Sequence, residues 1–390
     1  MNILLVSTQD YIHHPVPSRH HNIFEVLAER HRVHVPHFHV SSGPERPTRL
    51  IVHEATRFPV KNPLLHYTLN APHHYRIFRE LLKKEEIDIV VAANILAGSA
   101  VIRAAKKAGI PVIFDLKDWY PDSASAYFRN RALKWGIEKF VWEVTRRNLA
   151  ASDHIVTVSP SLVGRLKGYG FESDLITNGV DTDLFRPMDG TALRAELGIG
   201  KDDFVVGFVG SIERWYAVDE IIRSLPALIR EREDTKFLVV GGALFTDYKE
   251  ELVRIADELG VRDRIIFTGP KPYAELPRYI ACMDVCTIPT APGGWMIDIQ
   301  LPNKYFEYSA CGKPILMTPI PDVMKMNAPN TFVYRSRDEF IRVVRSLRES
   351  PRTYDLDLGS FSWRRKAAEF EDLCTRLIAE HPSKFINGST

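Results

Sequence analysis

Short apolar runs alternate with helical patterns along the first part of the chain, and the same alternation then begins a second time. Residues 3–7, 33–36, 87–92, 112–115 and 155–159 are rich in Val and Ile and nearly continuously apolar. Helical patterns separate them at 22–30, 74–84, 97–108, 132–151 and 160–168. A strand that is apolar along its whole length must be covered on both faces. The pattern therefore predicts a parallel sheet with helices on each side, wound by right-handed crossovers. At 203–210 a new strand pattern ends in a glycine turn, and further strands follow at 236–241, 264–269, 285–289 and 315–318. A chain of 390 residues exceeds what one core usually serves. Two Rossmann-like doubly wound α/β domains are expected, over 1–185 and 186–360, joined by a hinge in 181–201 around Pro187, Gly198 and Gly200. A last helix within 361–390 is expected to pack back across the boundary.

Charge and cysteine usage exclude several classes. A net charge of +2 is too small for a broadly basic nucleic-acid binder. Cys282, Cys286, Cys311 and Cys374 have neither zinc-ribbon spacing nor the density of a disulfide framework, and they read as reduced thiols. Residues 1–7 run straight into a strand pattern without a basic leader, and no stretch reaches the roughly 18 apolar residues of a membrane span. The expected location is cytoplasmic, with any membrane met from its inner surface.

Two such sheets direct their strand carboxyl ends toward a common central cleft, where loops and helix N-termini suit a diphosphate. Fold alone does not name the chemistry. The segment from Leu301 to Ile315, L-P-N-K-Y-F-E-Y-S-A-C-G-K-P-I, narrows it. A helix opening near Pro302 and Asn303 offers free N–H groups to phosphate oxygens. Lys304 then reaches the same oxygens as a point charge. Glu307, three residues on and on the same helix face, is placed to accept from both hydroxyls of a ribose. Taken as an isolated K-x-x-E, the pair would more simply be an exposed ion pair. Gly210 ends a strand where a phosphate could approach the backbone, with Ser211 beside it. Arg214 either clamps the diphosphate or stands in solvent, and Gly241-Gly242 forms a second glycine turn.

The 301–315 segment strongly resembles the PNK…EY-x-A-x-GKP stretch of GT-B glycosyltransferases of family 4. Further stretches agree in order: I-V-T-V-S at 155–159, I-T-N-G-V-D at 176–181, F-V-G-S at 208–211, I-F-T-G at 266–269 and F-S-W at 361–363. The resemblance implies a retaining hexosyltransferase that takes a nucleoside diphosphate sugar, UDP first and GDP second, to a hydroxyl acceptor on a lipid-linked or surface glycan. It implies the ribose role for Glu307 and no cofactor; no D-x-D stretch suggests a bridging metal. The Pro-Gly-Gly loop at 291–298 would bring the backbone of Gly293 and Gly294 against the sugar, with Asp298 either binding a hydroxyl or capping the next helix. In L-K-D-W-Y-P-D at 116–122, Asp118 is the expected carboxylate near the reacting centre, or else a turn former. His13, His14, Ser18, Arg19 and Trp119 are assigned to the acceptor side.

Three elements depart from the family pattern. The loop after the first strand, 8–17, lacks the usual glycine pair; Ser211 and Tyr216 stand where the family's arginine and lysine neutralise the diphosphate; and Ile299 replaces the first of two paired glutamates. These losses leave open a degenerate GT-B subunit that only binds a partner, and a GT-B sugar-nucleotide epimerase. A nicotinamide oxidoreductase lacks its complete G-x-G-x-x-G. Twelve of the fourteen histidines fall in the first 74 residues, yet none shows an established metal-ligand spacing, so no metal is expected. At 129–147, Arg129, Arg131, Lys134, Arg146 and Arg147 interleave with Trp135, Phe140 and Trp142. That helix either meets an anionic membrane or, as the preferred expectation, packs its aromatics on the first sheet.

Overall fold

The computed structural model describes residues 1–8, 10–14, 16–41, 43–125, 130–243, 246–291 and 300–381. The chain forms two compact units, 1–177 with 363–390, and 178–362. The first division falls ahead of the 181–201 stretch, because Phe185, Leu193 and Ile199 belong to the second unit's core.

The first unit carries strands β1 (Asn2–Val6), β2 (Arg32–His37), β3 (Ile51–Glu54), β4 (Ile89–Ala92), β5 (Val112–Leu116), β6 (His154–Thr157) and β7 (Asp174–Leu175). They lie in the order β3-β2-β1-β4-β5-β6-β7, all parallel. The edge strands β3 and β7 and the helix Pro63–Leu69 are additions to the sequence-based reading. Both strands are short and largely exposed, so they have no apolar face to betray them. The last helix, Trp363–Glu380, belongs to this unit. It buries Trp363, Ala367, Phe370, Leu373, Cys374 and Leu377 in the same core as β1 and the helix Arg19–Leu27. Phe370 meets Phe24 edge-on at 5.4 Å between ring centroids.

In the second unit, β8 (Phe204–Val209), β9 (Thr235–Val240), β10 (Ile265–Gly269), β11 (Val285–Ile288), β12 (Ile315–Met317) and β13 (Thr331–Val333) lie in the order β10-β9-β8-β11-β12-β13. Alternate residues face opposite layers: Val206 and Phe208 join one core cluster, Val205 and Val209 another. The continuous apolar run of β8 is thus spent on two helical layers. Cys282, Cys286, Cys311 and Cys374 are buried free thiols. Among the described residues no helix is long and apolar enough to cross a membrane.

The helix Arg131–Ala151 corrects the preferred expectation for its aromatics. It buries Val141, Thr145, Asn148 and Leu149, whereas Leu133, Trp135 and Phe140 are 50%, 64% and 53% exposed. Only Trp142 packs inward, against Trp119 at 5.1 Å and Tyr169 at 4.3 Å. The helix begins at Arg131, so its first turns project before its buried face starts at Val141.

Candidate functional site

Open parallel sheets take ligands beyond their strand carboxyl ends, where the strand order reverses. In the second unit that point lies between β8 and β11, and Gly210 directly follows β8. Gly210 (φ 147°) and Gly241 (φ 143°) sit in a region L side chains avoid. A Cβ on Gly241 would stand 1.9 Å from the Gly210 carbonyl oxygen, and one on Gly242 2.9 Å from Pro270. The three strand ends are laced together: Gly210 N–H donates to Val240, Gly241 N–H to Gly269 and Ile212 N–H to Gly242. Tyr308 fixes the last residue of β8 by accepting from Val209 N–H at 2.8 Å.

The helix Asn303–Ala310 starts with Pro302 as its extended N-cap, which gives the first turn no side-chain hydrogen bond. Its Lys304 turns toward the glycine end of β8: a Cβ on Gly210 would lie 2.7 Å from the ammonium. The ammonium is buried and, among the described residues, has no hydrogen-bond partner. It rests instead on the rings of Tyr216 and Phe208, 3.8 and 4.3 Å from their centroids. Burial depresses its pKa to about 7. Glu307, also buried, accepts from the Tyr273 hydroxyl at 3.1 Å, and burial raises its carboxyl to about 7. Near neutral pH each group therefore stands close to its titration midpoint, where a ligand that pairs it would settle the charged form. A phosphate at Lys304 and hydroxyls at Glu307 would supply that pairing.

Other expected donor residues lie differently. Arg214, 44% exposed in its side chain, is held by Asp247 at 3.0 Å and by Glu251. Those bonds draw on its NH1 and NH2 groups, so part of its positive charge is already met by two carboxylates. Ser211 follows Gly210 and is partly covered, and Asn303 opens the helix with a buried amide oxygen that has no hydrogen-bond partner among the described residues. Gly293, Gly294 and Asp298 lie outside the described residues. Lys313 of the G-K-P stretch donates to the carbonyls of Ala281 and Met283, a purely structural use.

In the first unit, Asp118 lies just past β5 and accepts from Trp119 N–H at 2.8 Å. Burial raises its carboxyl to about 6, and the adjacent Lys117 is lowered by burial. Two of the residues assigned to the acceptor side are buried within the unit. Arg19 is buried, its Nε donating to Asp115 at 3.1 Å and its NH1 group to the Thr177 carbonyl at 2.8 Å. Trp119 is buried beneath Arg165, whose guanidinium lies 4.1 Å from its ring. Ser18 caps the first helix, its N–H donating to His21 Nδ1 at 2.9 Å. His13 and His14 keep to the loop after β1, bonded through Nδ1 to the carbonyls of Gly43 at 2.8 Å and Val16 at 2.7 Å. Sequence reasoning missed Tyr273 and Phe208. Neither has a local signal, because each acts on a residue 34 or more positions away.

Residues 20–184 match the family model described as Glycosyltransferase Family 4, and residues 203–349 the one described as Glycosyl transferases group 1. A stretch of 141 residues is 39% identical to a GDP-mannose-dependent α-(1-6)-phosphatidylinositol monomannoside mannosyltransferase of Mycolicibacterium smegmatis, covering 35% of this chain and 36% of that one. Another of 145 residues is 32% identical to a D-inositol 3-phosphate glycosyltransferase of Mycobacterium tuberculosis, covering 37% and 28%. The matched stretches thus span little more than a third of the first relative and less of the second. Among solved structures, the sucrose-phosphate synthase of Thermosynechococcus elongatus superposes with a TM-score of 0.75 at 17% identity, over 97% of this chain and 99% of that one. Anabaena HepE, solved with UDP-glucose, gives 0.67 at 19% identity over 97% and 98%.

Proposed function

Because this chain belongs to glycosyltransferase family 4 and has the GT-B fold, we propose that it transfers a sugar, with retention, from a nucleoside diphosphate sugar to a hydroxyl acceptor. What carries the proposal is Lys304, a buried ammonium without a protein partner among the described residues, set against the glycine end of β8 with Glu307 one turn further along its helix. The diphosphate would lie over Gly210 and the first turn at Pro302 and Asn303, its charge met by Lys304. The ribose hydroxyls would donate to Glu307, which Tyr273 holds in place. Ser211, Gly241 and Gly242 would line the same turn, with Gly293, Gly294 and Asp298 contributing the sugar end.

In the transfer, the bond from the anomeric carbon to the β-phosphate oxygen breaks and a bond to the acceptor oxygen forms. The acceptor proton passes to the departing phosphate, so no protein base is needed. Rate comes from holding the acceptor hydroxyl on the same face of the sugar as the departing phosphate and from stabilising the leaving diphosphate. Tyr216 and Ser211 replace the family's basic pair. Arg214 already has two carboxylate partners, so Lys304 bears most of the burden. Asp118, with its raised carboxyl pKa, is the unit's candidate for contact near the reacting centre. His13 and His14 remain the acceptor-side candidates. The donor nucleotide is taken as UDP before GDP on the family resemblance, and the sequence relative named for GDP-mannose keeps GDP as the alternative.

Calorimetric titration of UDP, GDP and ADP into wild type and Glu307→Ala tests the site. One diphosphate should bind, and the substitution should weaken it by about ten- to a hundredfold, the worth of charge-assisted hydrogen bonds. Equal affinity in both proteins would remove Glu307 from the donor site. Binding without turnover of any sugar donor would instead favour a degenerate, partner-binding subunit.

The exposed aromatics of the helix Arg131–Ala151 favour a lipid-linked acceptor reached at an anionic membrane surface. Leu133, Trp135 and Phe140 stand in solvent beside Arg131, Lys134 and Lys139, an apolar face framed by positive charge. At about 1 kcal/mol per basic residue, Arg131→Gln with Lys134→Gln should weaken binding to phosphatidylserine vesicles by about tenfold or more. Vesicle co-sedimentation unchanged by these substitutions, or by Trp135→Ser, would exclude this surface.

A further inference from the structure

We propose that His37, His39 and Glu54 form a Zn²⁺ site on the first unit, at the carboxyl ends of β2 and β3. The parallel register pairs His37 directly with Glu54, and His39 follows two residues beyond β2. His37 Nδ1 lies 3.1 Å from Glu54 Oε1, and His39 Nε2 lies 2.6 Å from Oε2. All three ligand atoms fall within 4.8 Å of one another. Tetrahedral zinc, with bonds of about 2.0–2.2 Å, needs ligand atoms about 3.3 Å apart. Small side-chain rotations meet that spacing.

Three features set this cluster apart from an ordinary carboxylate–imidazole contact. The two rings converge on one carboxylate with centroids only 3.6 Å apart, although an imidazolium pair would repel at that distance. His39 is held at φ 50°, a left-handed conformation uncommon for any residue but glycine, and this turns its ring back over the strand ends. Behind His37, on the ring nitrogen facing away from Glu54, stands the buried Asp10 carboxylate at 3.7 Å from Nε2. That gap is just beyond hydrogen-bond reach and leaves the buried His37 Nε2 without a partner among the described residues, so a small closing movement would give a zinc-bound His37 the carboxylate that fixes the tautomer of ligating imidazoles. Asp10 is itself held by the backbone N–H groups of Ile12, His13 and Ser41 at 3.2, 3.2 and 3.0 Å.

Two imidazoles and a carboxylate are a borderline nitrogen–oxygen set that suits Zn²⁺ better than Mg²⁺ or Ca²⁺. With Glu54 66% exposed, a fourth position opens to water. Bound zinc would join the ends of β2 and β3 and, through Asp10, the loop that carries His13 and His14. Metal binding is read directly here, so it stands or falls apart from the transfer reaction.

The test uses full-length protein without a histidine tag, stripped with a chelator, and titrated with Zn²⁺ alone by calorimetry and with Co²⁺ by visible absorption. Wild type should take up one equivalent, with a tetrahedral Co²⁺ spectrum, and Zn²⁺ should raise its melting temperature. His39→Ala and Glu54→Gln, both on exposed side chains, should each weaken binding by about tenfold or more and abolish the thermal shift. His53→Ala, on the same strand pair but outside the cluster, should behave as wild type. No saturable uptake, or uptake unchanged in the His39→Ala protein, would overturn the site.

Discussion

Replacing Lys304 by Met is expected to lower sugar-transfer turnover by about 10²–10³-fold, the loss seen when one preorganised charge stabiliser is removed. The same change should leave the fold as stable as wild type or more so. Lys304 brings a buried ammonium with no hydrogen-bond partner among the described residues, and a thioether of similar length suits the Tyr216 and Phe208 rings without that desolvation. Stability rising while catalysis falls is the mark of a residue kept for its ligand. A residue kept for packing would show both falling together. Urea melts beside steady-state rates separate the two cases.

The pH dependence follows from the same burial. Nucleotide binding needs Lys304 protonated and Glu307 ionised, yet both pKa values stand at about 7 in the free protein. Below pH 7 Glu307 takes up a proton, and above it Lys304 loses one, so affinity should form a bell centred near neutrality. Because the two groups sit on one helix and interact, the limbs belong to the pair rather than to either residue. Glu307→Gln should flatten the acid limb relative to wild type, leaving only the titration of the nucleotide's own phosphate, about pH 6. Lys304→Met should remove the alkaline limb. Affinity that stays flat from pH 6 to pH 8 in wild type would mean that neither group meets the ligand.

The contrast between Lys304 and Arg214 shows what the sequence makes legible. Lys304 and Glu307 lie on one helix, where spacing alone brings them to one face. Arg214 meets Asp247 and Glu251, more than thirty positions away, and nothing near it in the chain announces them. Trp119 likewise disappears under Trp142, Tyr169 and Arg165. The interior strands were readable because they are apolar throughout, a property forced on them by two covering layers. The exposed edge strand β3 carries no such imprint. Its absence from the sequence-based reading also hid the His37–Glu54 pairing, since H-x-H at 37–39 has no third ligand until β3 is in register. The last helix was readable as a helix, while its packing on Phe24 depends on a partner over three hundred residues earlier.

Arg19→Met should destabilise the first unit by about 3–5 kcal/mol, the cost of stranding a buried charge. Asp115 is fully buried. Burial alone would raise its carboxyl, but the Arg19 guanidinium and the hydrogen bond from His20 outweigh it and hold the pKa at about 2. His20 is lowered by burial and is therefore neutral. With its Nε2 donating to Asp115 at 3.2 Å, its Nδ1 is left to accept from the Ser7 hydroxyl at 3.0 Å. Among the described residues the only full positive charge in contact with the carboxylate is thus Arg19, whose other bond pins Thr177 at the exit from the unit. The sign of the pH effect separates this from simple loss of packing. In wild type, Asp115 contributes stability that is present above its unfolded pKa of about 3.9 and is lost as pH falls toward 2. In Arg19→Met the folded carboxyl rises above its unfolded value, so lowering the pH from 7 to 5 should recover stability. The double variant Arg19→Met, Asp115→Asn should recover most of it at pH 7, a non-additivity of at least about 1–3 kcal/mol. If Arg19 instead served the acceptor, the single variant would keep its melting temperature and lose only acceptor KM.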